Sequence, residues 1–467
     1  MRYLLYPFLL LIGTGALAQV GSVDPGFDPI DLSGGTANGL NGSCRVIAMQ
    51  ADGKVLVAGD FTIVNGVERP RIARMNADGS LDLEFDPGYG ANAGVRAVAV
   101  QPDGKILVGG LFTYFNGLWC NHIVRLNADG SLDEGFDMGL GFDGNVLALT
   151  LQPDGGILVG GDFYHVNNVI GRGLVRLNTD GSHDTSFDAG DIPLVYSLAV
   201  RPDGRVIIGG TFNFVGGVER RGIAAVDADG SLDQSFAPIG WNSCAVFTLA
   251  LQADGRVVVG GLLPGGIARL EENGEVDPTY GSATGFGGWD PRVYALALQP
   301  DGRVLAGGGF SSYNGSACMG MARLTNEGLL DETFFIGEGF NGDVFALALQ
   351  ADGRPMVGGF FDSVDGTPRS RIARLESEDL STAVAPVSEL SLEVYPNPSA
   401  GQVFVRTGAD FISSLRIIGP DGCAVRAAFI PASSGAQSID LGAYAKGVYL
   451  VRIAEGAMAR TERLVIQ

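Results

Sequence analysis

An Asp-Gly pair between two apolar runs recurs seven times along the chain, at Asp52/Gly53, Asp103/Gly104, Asp154/Gly155, Asp203/Gly204, Asp254/Gly255, Asp301/Gly302 and Asp352/Gly353. Successive Asp positions lie 51, 51, 49, 51, 47 and 51 residues apart. The second copy reads Val100-Gln101-Pro102-Asp103-Gly104-Lys105-Ile106-Leu107-Val108-Gly109-Gly110. Pro presets the φ angle of the first turn position, and Gly accepts the left-handed conformation that follows. Each copy therefore reads as a β-hairpin. Hairpins repeating at a fixed period of about fifty residues predict a β-propeller.

Each period divides into four strand-like pieces. In the sixth, Val293–Leu298 is strand a, residues 303–310 strand b and Met321–Leu324 strand c; strand d corresponds to residues 80–85 of the first period. Four such antiparallel strands make one blade. The last period reaches Arg371-Ile372-Ala373-Arg374-Leu375 and lacks its Gly-Ser-x-Asp-x-x-Phe piece. That piece stands near the N-terminus, where residues 21–29 repeat the pattern of residues 79–87. The expectation is an all-β, seven-bladed propeller of four-stranded antiparallel blades, with the N-terminal strand closing the last blade. Closure removes the open end at which another chain could add itself.

Residues 1–18 carry Arg2, an apolar stretch over 4–12 and Ala16-Leu17-Ala18, the pattern of a secretory signal peptide. The propeller is assigned to 20–378 and a linker of acidic, Thr, Ala and Pro character to 379–388. Residues 389–467 lose the period and show strand spacing suited to a small β-sandwich. No later apolar run reaches the ~18–20 residues of a bilayer span, so no transmembrane segment is expected in the mature chain. A net charge of −21 disfavours a nucleic-acid partner, whose phosphates this surface would repel. Five Cys are too few to act as the main staple. Cys44 and Cys244 precede strand a, and Cys120 and Cys318 precede strand c, a placement that admits bridges Cys44–Cys120 and Cys244–Cys318.

The seven hairpins, each followed by a match to Arg-Ile-Ala-Arg-Leu-Asn-x-Asp-Gly-Ser, resemble the delta-sixty repeat family of bacterial β-propellers over residues 20–375. The resemblance implies a propeller and transfers no catalytic residue. Ala225 replaces the second Arg of strand c, Leu263 replaces the Phe after Gly-Gly, and the fifth b–c loop is shortened. The tail resembles the type A sorting domain of the type IX secretion system of Bacteroidetes. The matching residues are Tyr395-Pro396-Asn397-Pro398, Gly401, Val405, Gly422, Gly447-Val448-Tyr449-Leu450-Val451 and Arg463-Leu464-Val465-Ile466. It implies handling by the type IX machinery, passage across the outer membrane, removal of the tail, and an extracellular or outer-membrane-surface location.

Repeated Arg and Asp residues, such as Arg74 and Asp82, flank the c–d turn and read as a cross-strand ion pair in each blade. Acidic turns such as residues 227–233 alternate oxygen-bearing side chains, as calcium requires, yet their Gly is misplaced for a calcium loop and no bidentate Glu follows. No cofactor is expected, with calcium on these turns as the alternative. His122, His165 and His183 lack metal-ligand spacing, and no Gly-x-Ser-x-Gly elbow with the right context occurs. The a–b and c–d turns are short and nearly identical. The d–a and b–c loops, which emerge on the other side, are longer and individual, and they hold Tyr114, Trp119, Tyr164, His165, Trp241, Trp289 and Tyr313. Residues that break the repeat have no role in building blades, so these seven are the candidate binding face for a glycan or a protein. The alternative is an extracellular propeller enzyme acting on polysaccharide, which would need carboxylates or His with shifted pKa values at the channel mouth.

Overall fold

The computed structural model describes residues 19–29, 39–137, 139–238, 245–281 and 284–377, and beyond them the stretches 392–395, 402–407, 412–418, 424–430, 437–440, 445–455 and 458–466. The chain divides into two compact units, Met1–Glu378 and Asp379–Gln467. In the first, strand a is Cys44–Met49, Val95–Val100, Asn145–Leu151, Val195–Val200, Ala245–Leu251, Val293–Leu298 and Asp343–Leu349 in blades 1 to 7. Strand b is Val55–Gly59, Ile106–Gly110, Ile157–Asp162, Val206–Gly210, Val257–Leu262, Val304–Gly308 and Pro355–Phe360. Strand c is Ile72–Met75, Ile123–Leu126, Leu174–Leu177, Ile223–Val226, Ile267–Leu270, Met321–Leu324 and Ile372–Arg374. Each blade is an antiparallel sheet in the order a-b-c. Strands a of consecutive blades lie side by side, and that of blade 7 lies beside that of blade 1, so they form the inner wall of a closed ring.

The fourth strand of each blade is a short edge. In blade 1 it pairs through Met75 and Leu81, and the Asp82 N–H then donates to the Arg74 carbonyl at 2.9 Å. Asp82 Oδ1 next accepts the Glu84 N–H, which curls the chain and sends Phe85 inward, fully buried. There Phe85 packs with Leu56, Ala58 and Ile72 of blade 1 and Val95, Ile106 and Val108 of blade 2. The core thus lies between blades, as the all-buried strands b require.

Arg74 ties these pieces together. Its Nε donates to Asp82 Oδ2 at 2.6 Å, its Nη1 donates to the Ala128 carbonyl in the c–d turn of blade 2 at 2.6 Å, and its guanidinium sits 5.0 Å from the Phe85 ring centroid. Arg125, Arg176, Arg269 and Arg374 repeat this clasp, reaching the carbonyls of Thr179, Ala228, Asn326 and Ala77 in the following blade. Blade 4 has Ala225 in place of the arginine, and a different side chain does the work. Arg201, standing where the other hairpins carry Gln, donates to the Glu272 carbonyl of blade 5 at 3.0 Å and lies 5.7 Å from the Phe236 ring centroid.

The last clasp closes the ring. Arg374 Nε donates to Asp24 Oδ2 at 2.6 Å, the Asp24 N–H donates to the Arg374 carbonyl at 2.9 Å, and Val23 bridges Leu375. Glu376 N–H donates to the Ser22 carbonyl and Gly21 N–H to the Glu376 carbonyl, the same bonds that Asn76 makes with Ser80 and Gly79 in an unbroken turn. Phe27 is fully buried against Val55, Val57 and Met356.

The second unit holds a three-stranded antiparallel sheet (Leu392–Tyr395, Gln402–Thr407, Gln437–Asp440) and a four-stranded one (Ile412–Ile418, Ala424–Ile430, Gly447–Glu455, Met458–Ile466). Of its sorting-motif residues, Tyr395, Gly447, Val448 and Tyr449 lie on strands; Tyr449 is buried and donates from its hydroxyl to the Ala445 carbonyl at 2.8 Å. Pro396, Asn397, Pro398 and Gly401 lie outside the described residues, as do residues 1–18 and the linker.

Among the described residues, Cys44, Cys120 and Cys318 are free thiols, which rules out the Cys44–Cys120 bridge; Cys244 lies outside them. Each free thiol is pushed up to about 12 by burial.

Two outcomes follow from the clasps. Phe27→Ala is expected to cost about 3–5 kcal/mol, and deletion of residues 20–29 to lower the melting temperature of the whole ring further; an unchanged melting curve would refute closure. Burial alone would raise the Asp133 carboxyl, but hydrogen bonds from Lys105, Arg125 and the Gly135 N–H hold it at about 2. Asp24, Asp82, Asp184, Asp277 and Asp331 are lowered as well. A folded-state value below the unfolded one gives stability that is complete above about pH 4 and drains away as the pH falls towards 2. The urea midpoint is therefore expected to hold from neutral pH to about 5 and to drop steeply below 4.

Candidate functional site

The face formed by the d–a and b–c loops is built by small hairpins. In blades 1 to 4, 6 and 7 the b–c loop folds into two-residue strands around a tight tip, as in Ile63–Val64 and Val67–Glu68. Asn65 and Gly66 at that tip take φ of 47° and 77°, the left-handed values a two-residue hairpin turn demands. The hairpins of blades 1, 2, 3 and 7 lie on the preceding d–a loop through bridges Leu40 to Val64, Ala91 to Phe115, Phe142 to Val166 and Phe340 to Val364, and in blade 6 Phe286 pairs with Tyr313 in the same way.

Hairpin register decides which aromatics reach solvent. In blade 2, Tyr114 and Trp119 face each other across the hairpin, exposed, with ring centroids 4.9 Å apart in an edge-to-face pair. In neighbouring blade 3, the Tyr164 hydroxyl accepts from Arg172 Nη2 at 2.9 Å and its ring lies under the same guanidinium, which also pairs with Asp191 at 2.7 Å. His165 Nδ1 stands 2.7 Å from Asp143 Oδ2. Trp289 is fully exposed on the loop entering blade 6, and Trp241 lies outside the described residues. Tyr313 does not belong to the exposed set. It occupies the inward hairpin position of Phe115 and Val166, is 1 % exposed, and donates its hydroxyl to the Gly328 carbonyl. Phe214, Leu118 and Ile170 are exposed on the same hairpins and were not singled out by residue type.

A second group lines the ring itself. Every strand a carries a β-bulge between its first and third described pairings, so one residue per blade falls out of register: Arg45, Arg96, Leu147, Tyr196, Phe247, Tyr294 and Phe345. A bulge re-aims the side chain it carries. The second glycine of each Gly-Gly pair makes the bulge possible: a Cβ on Gly110, Gly210 or Gly308 would overlap the carbonyl of Gly94, Leu194 or Arg292, the residue just before the adjacent strand a. The first glycine serves the neighbour, since a Cβ on Gly160 would stand 2.7 Å from Val195 Cγ1 of the next blade.

The re-aimed side chains meet around the inner wall. Tyr196 and Phe247 have centroids 5.3 Å apart, Phe247 and Tyr294 stack at 5.8 Å, Tyr294 and Phe345 meet at 5.3 Å, and the Arg45 guanidinium lies 3.9 Å from the Phe345 ring centroid. Arg45 Nε and Arg96 Nη2 share Asp60, at 3.1 and 2.9 Å. All seven are half-buried, and they sit near the start of strand a, at the loop-face mouth of the channel. Beside them, the Tyr294 hydroxyl donates to Asp290 Oδ2 at 2.9 Å and Arg292 pairs with Asp290 at 3.0 Å. Burial, with a further push from Asp290, raises the Asp343 carboxyl. The signal in the sequence was one variable column between a near-constant Val and a small residue, such as Val293-Tyr294-Ala295.

Among the described residues, no group of three or more His, Cys, Asp or Glu side chains converges as a metal site. The turn carboxylates are occupied internally: Asp78 Oδ1 accepts the Ser80 N–H and hydroxyl at 2.9 and 2.7 Å.

Fold and site together define a seven-bladed propeller with a variable loop face. A family model described as "Domain of unknown function (DUF5122) beta-propeller" matches residues 50–85, 101–136, 152–187, 201–236, 252–280, 299–334 and 350–381, and the chain belongs to this family. A second, described as a secretion system C-terminal sorting domain, matches residues 393–467. The protein is accordingly a secreted or cell-surface propeller carrying a tail handled by the type IX secretion machinery. No curated protein matches the chain. Among solved structures it is similar to PorZ, a surface component of the type IX secretion system of Porphyromonas gingivalis, at 15 % identity and TM-score 0.47, over 92 % of this chain and 60 % of that one. The extracellular domain of BT4673 from B. thetaiotaomicron is similar at 12 % identity and TM-score 0.50, over 96 % and 60 % of the two chains. The chain thus spans about 60 % of the length of both structures. No helix among the described residues is long and apolar enough to cross a membrane.

Gly308→Ala drives a methyl group into the Arg292 carbonyl and should flatten the bulge that carries Tyr294. The expected cost is about 1–3 kcal/mol, with a changed near-ultraviolet circular dichroism signal from the aromatic arc. An unaltered spectrum would mean the bulge does not depend on that glycine.

Proposed function

We propose that the protein is a non-catalytic recognition module, exported after cleavage of residues 1–18 and then displayed on, or released from, the surface of a Bacteroidetes cell once its C-terminal domain is removed. Its ligand, a glycan or a protein, docks on the loop-rich face over the channel mouth. The observation that carries this reading is the contrast between the two ends of the blades. The a–b and c–d turns repeat almost unchanged, whereas the loops and the bulged column vary from blade to blade, and the loops hold the exposed aromatics Tyr114, Trp119, Tyr164 and Trp289. Exposed Trp and Tyr beside Arg are costly to maintain without a partner and typical of binding hot spots. No cofactor takes part, and excess calcium or chelator should leave the melting temperature unmoved.

One observation favours the rival, an enzyme acting on polysaccharide: Asp290 and Asp343 lie at the channel mouth, and the Asp343 carboxyl is raised by burial and by its neighbour. A glycan array with the purified protein separates the two. Binding without release of reducing ends, weakened at least tenfold when Trp119, Trp241 and Trp289 are all replaced by Ala, is the expected result. Reducing-end release abolished by Asp343→Asn would establish the enzyme instead.

A further inference from the structure

The bulged column is a belt with two unlike halves. Blades 4 to 7 contribute an unbroken arc of four aromatic rings, Tyr196, Phe247, Tyr294 and Phe345, each in contact with the next. Blades 1 and 2 contribute Arg45 and Arg96, held by one shared carboxylate, Asp60. Arg45 is fixed on two sides, by the Phe345 ring 3.9 Å from its guanidinium carbon and by Asp60 at its Nε. Among the described residues, its Nη1 and Nη2 make no hydrogen bond. A guanidinium held against a ring with its two terminal amino groups unspent is a fork shaped for a carboxylate or sulfate. Aromatic faces beside it suit the C–H face of a pyranose, and Asp290 and Asp343 at the blade 6 and 7 end can accept hydrogen bonds from sugar hydroxyls.

Charge narrows the ligand further. Arg45, Arg96 and Arg292 are matched by Asp60, Asp290 and Asp343, so the belt is balanced in a chain whose net charge is −21. A polyanion would meet Asp290 and Asp343 as well as the arginines. A chain with one isolated acid among neutral sugars meets the fork with its acid and the carboxylates with its hydroxyls.

We infer that the bulge belt binds an oligosaccharide bearing a single acidic substituent, with Arg45 taking the acid and the Tyr196–Phe247–Tyr294–Phe345 arc stacking the adjoining sugar. This rests on the recognition reading and commits it to a saccharide at the channel mouth. Binding would be measured by calorimetry on the full chain with three probes of equal length: a galacto-oligosaccharide with one terminal uronate, the same compound with that uronate as its methyl ester, and the same with a terminal sulfate. The uronate or the sulfate should bind at least about tenfold more tightly than the neutral ester, the worth of one charge-assisted fork. The tighter of the two identifies the acid. Arg45→Gln should erase that preference and leave affinity for the ester in place. Arg45→Lys should restore only part of it, because a point charge lacks the fork. Phe247→Ala should weaken all three probes alike. Should Arg45→Gln fail to fold, the comparison of acid and ester on the unaltered protein still decides. Equal binding of acid and ester overturns the acidic-ligand inference and leaves glycan recognition standing. Binding of peptides from an array with none of the saccharides overturns the inference and keeps a recognition module for protein; binding of neither class removes both.

Discussion

The ring is held by a guanidinium that belongs to two blades at once. Arg74 spans strand c, the Asp82 carboxylate and a backbone carbonyl of the next blade, and its nonpolar face covers Phe85. A buried arginine without its carboxylate would cost about 3–5 kcal/mol, so neither Arg nor Asp can lose its partner without a substitute. Blade 4 bears this out within the one chain. Strand c there has Ala225, and the cation has moved to Arg201, a position that is Gln in the other copies; it still reaches the equivalent carbonyl, at Glu272, and still lies near the Phe236 ring. Asp233 is not orphaned by the exchange, because Arg205 pairs with it at 3.0 Å. What is preserved from blade to blade is a positive charge at one place between sheets, whichever strand supplies it.

The Gly-Gly pair plays a matching role on the inside. One glycine admits the neighbouring blade and the other admits the bulge, so a feature that reads as scaffold chemistry also aims the variable side chains into the channel. Constant glycines thereby free one column from packing duty. Arg, Leu, Tyr and Phe can all stand there because the column does not sit in the interblade core.

Seven periods, antiparallel blades and the borrowed edge near Val23 were legible because repeats can be aligned against one another, and a missing piece shows as a gap. The shortness of the outer strand was not, since the Asx-type curl at Asp82 looks in sequence like any strand residue. Residue type read without register misplaces Tyr313 among the exposed candidates. Tyr313 is aromatic and lies in a variable loop, yet the alternation of a two-residue strand turns it inward, where its hydroxyl satisfies a carbonyl. The belt went unread for the opposite reason. A residue between Val and Ala in a regular strand would point at a neighbouring blade, and only the pairing reveals the bulge that turns it.

The seam in blade 7 has a consequence for how the chain matures. Asp24 and Arg374 are 350 residues apart, so the joint cannot form until nearly the whole propeller sequence has been made. Until then strand c of blade 7 presents an unsealed sheet edge. Any product ending before Leu375 keeps that edge bare, and the circle works as a gauge of chain length: the latch fits only a polypeptide that has been finished.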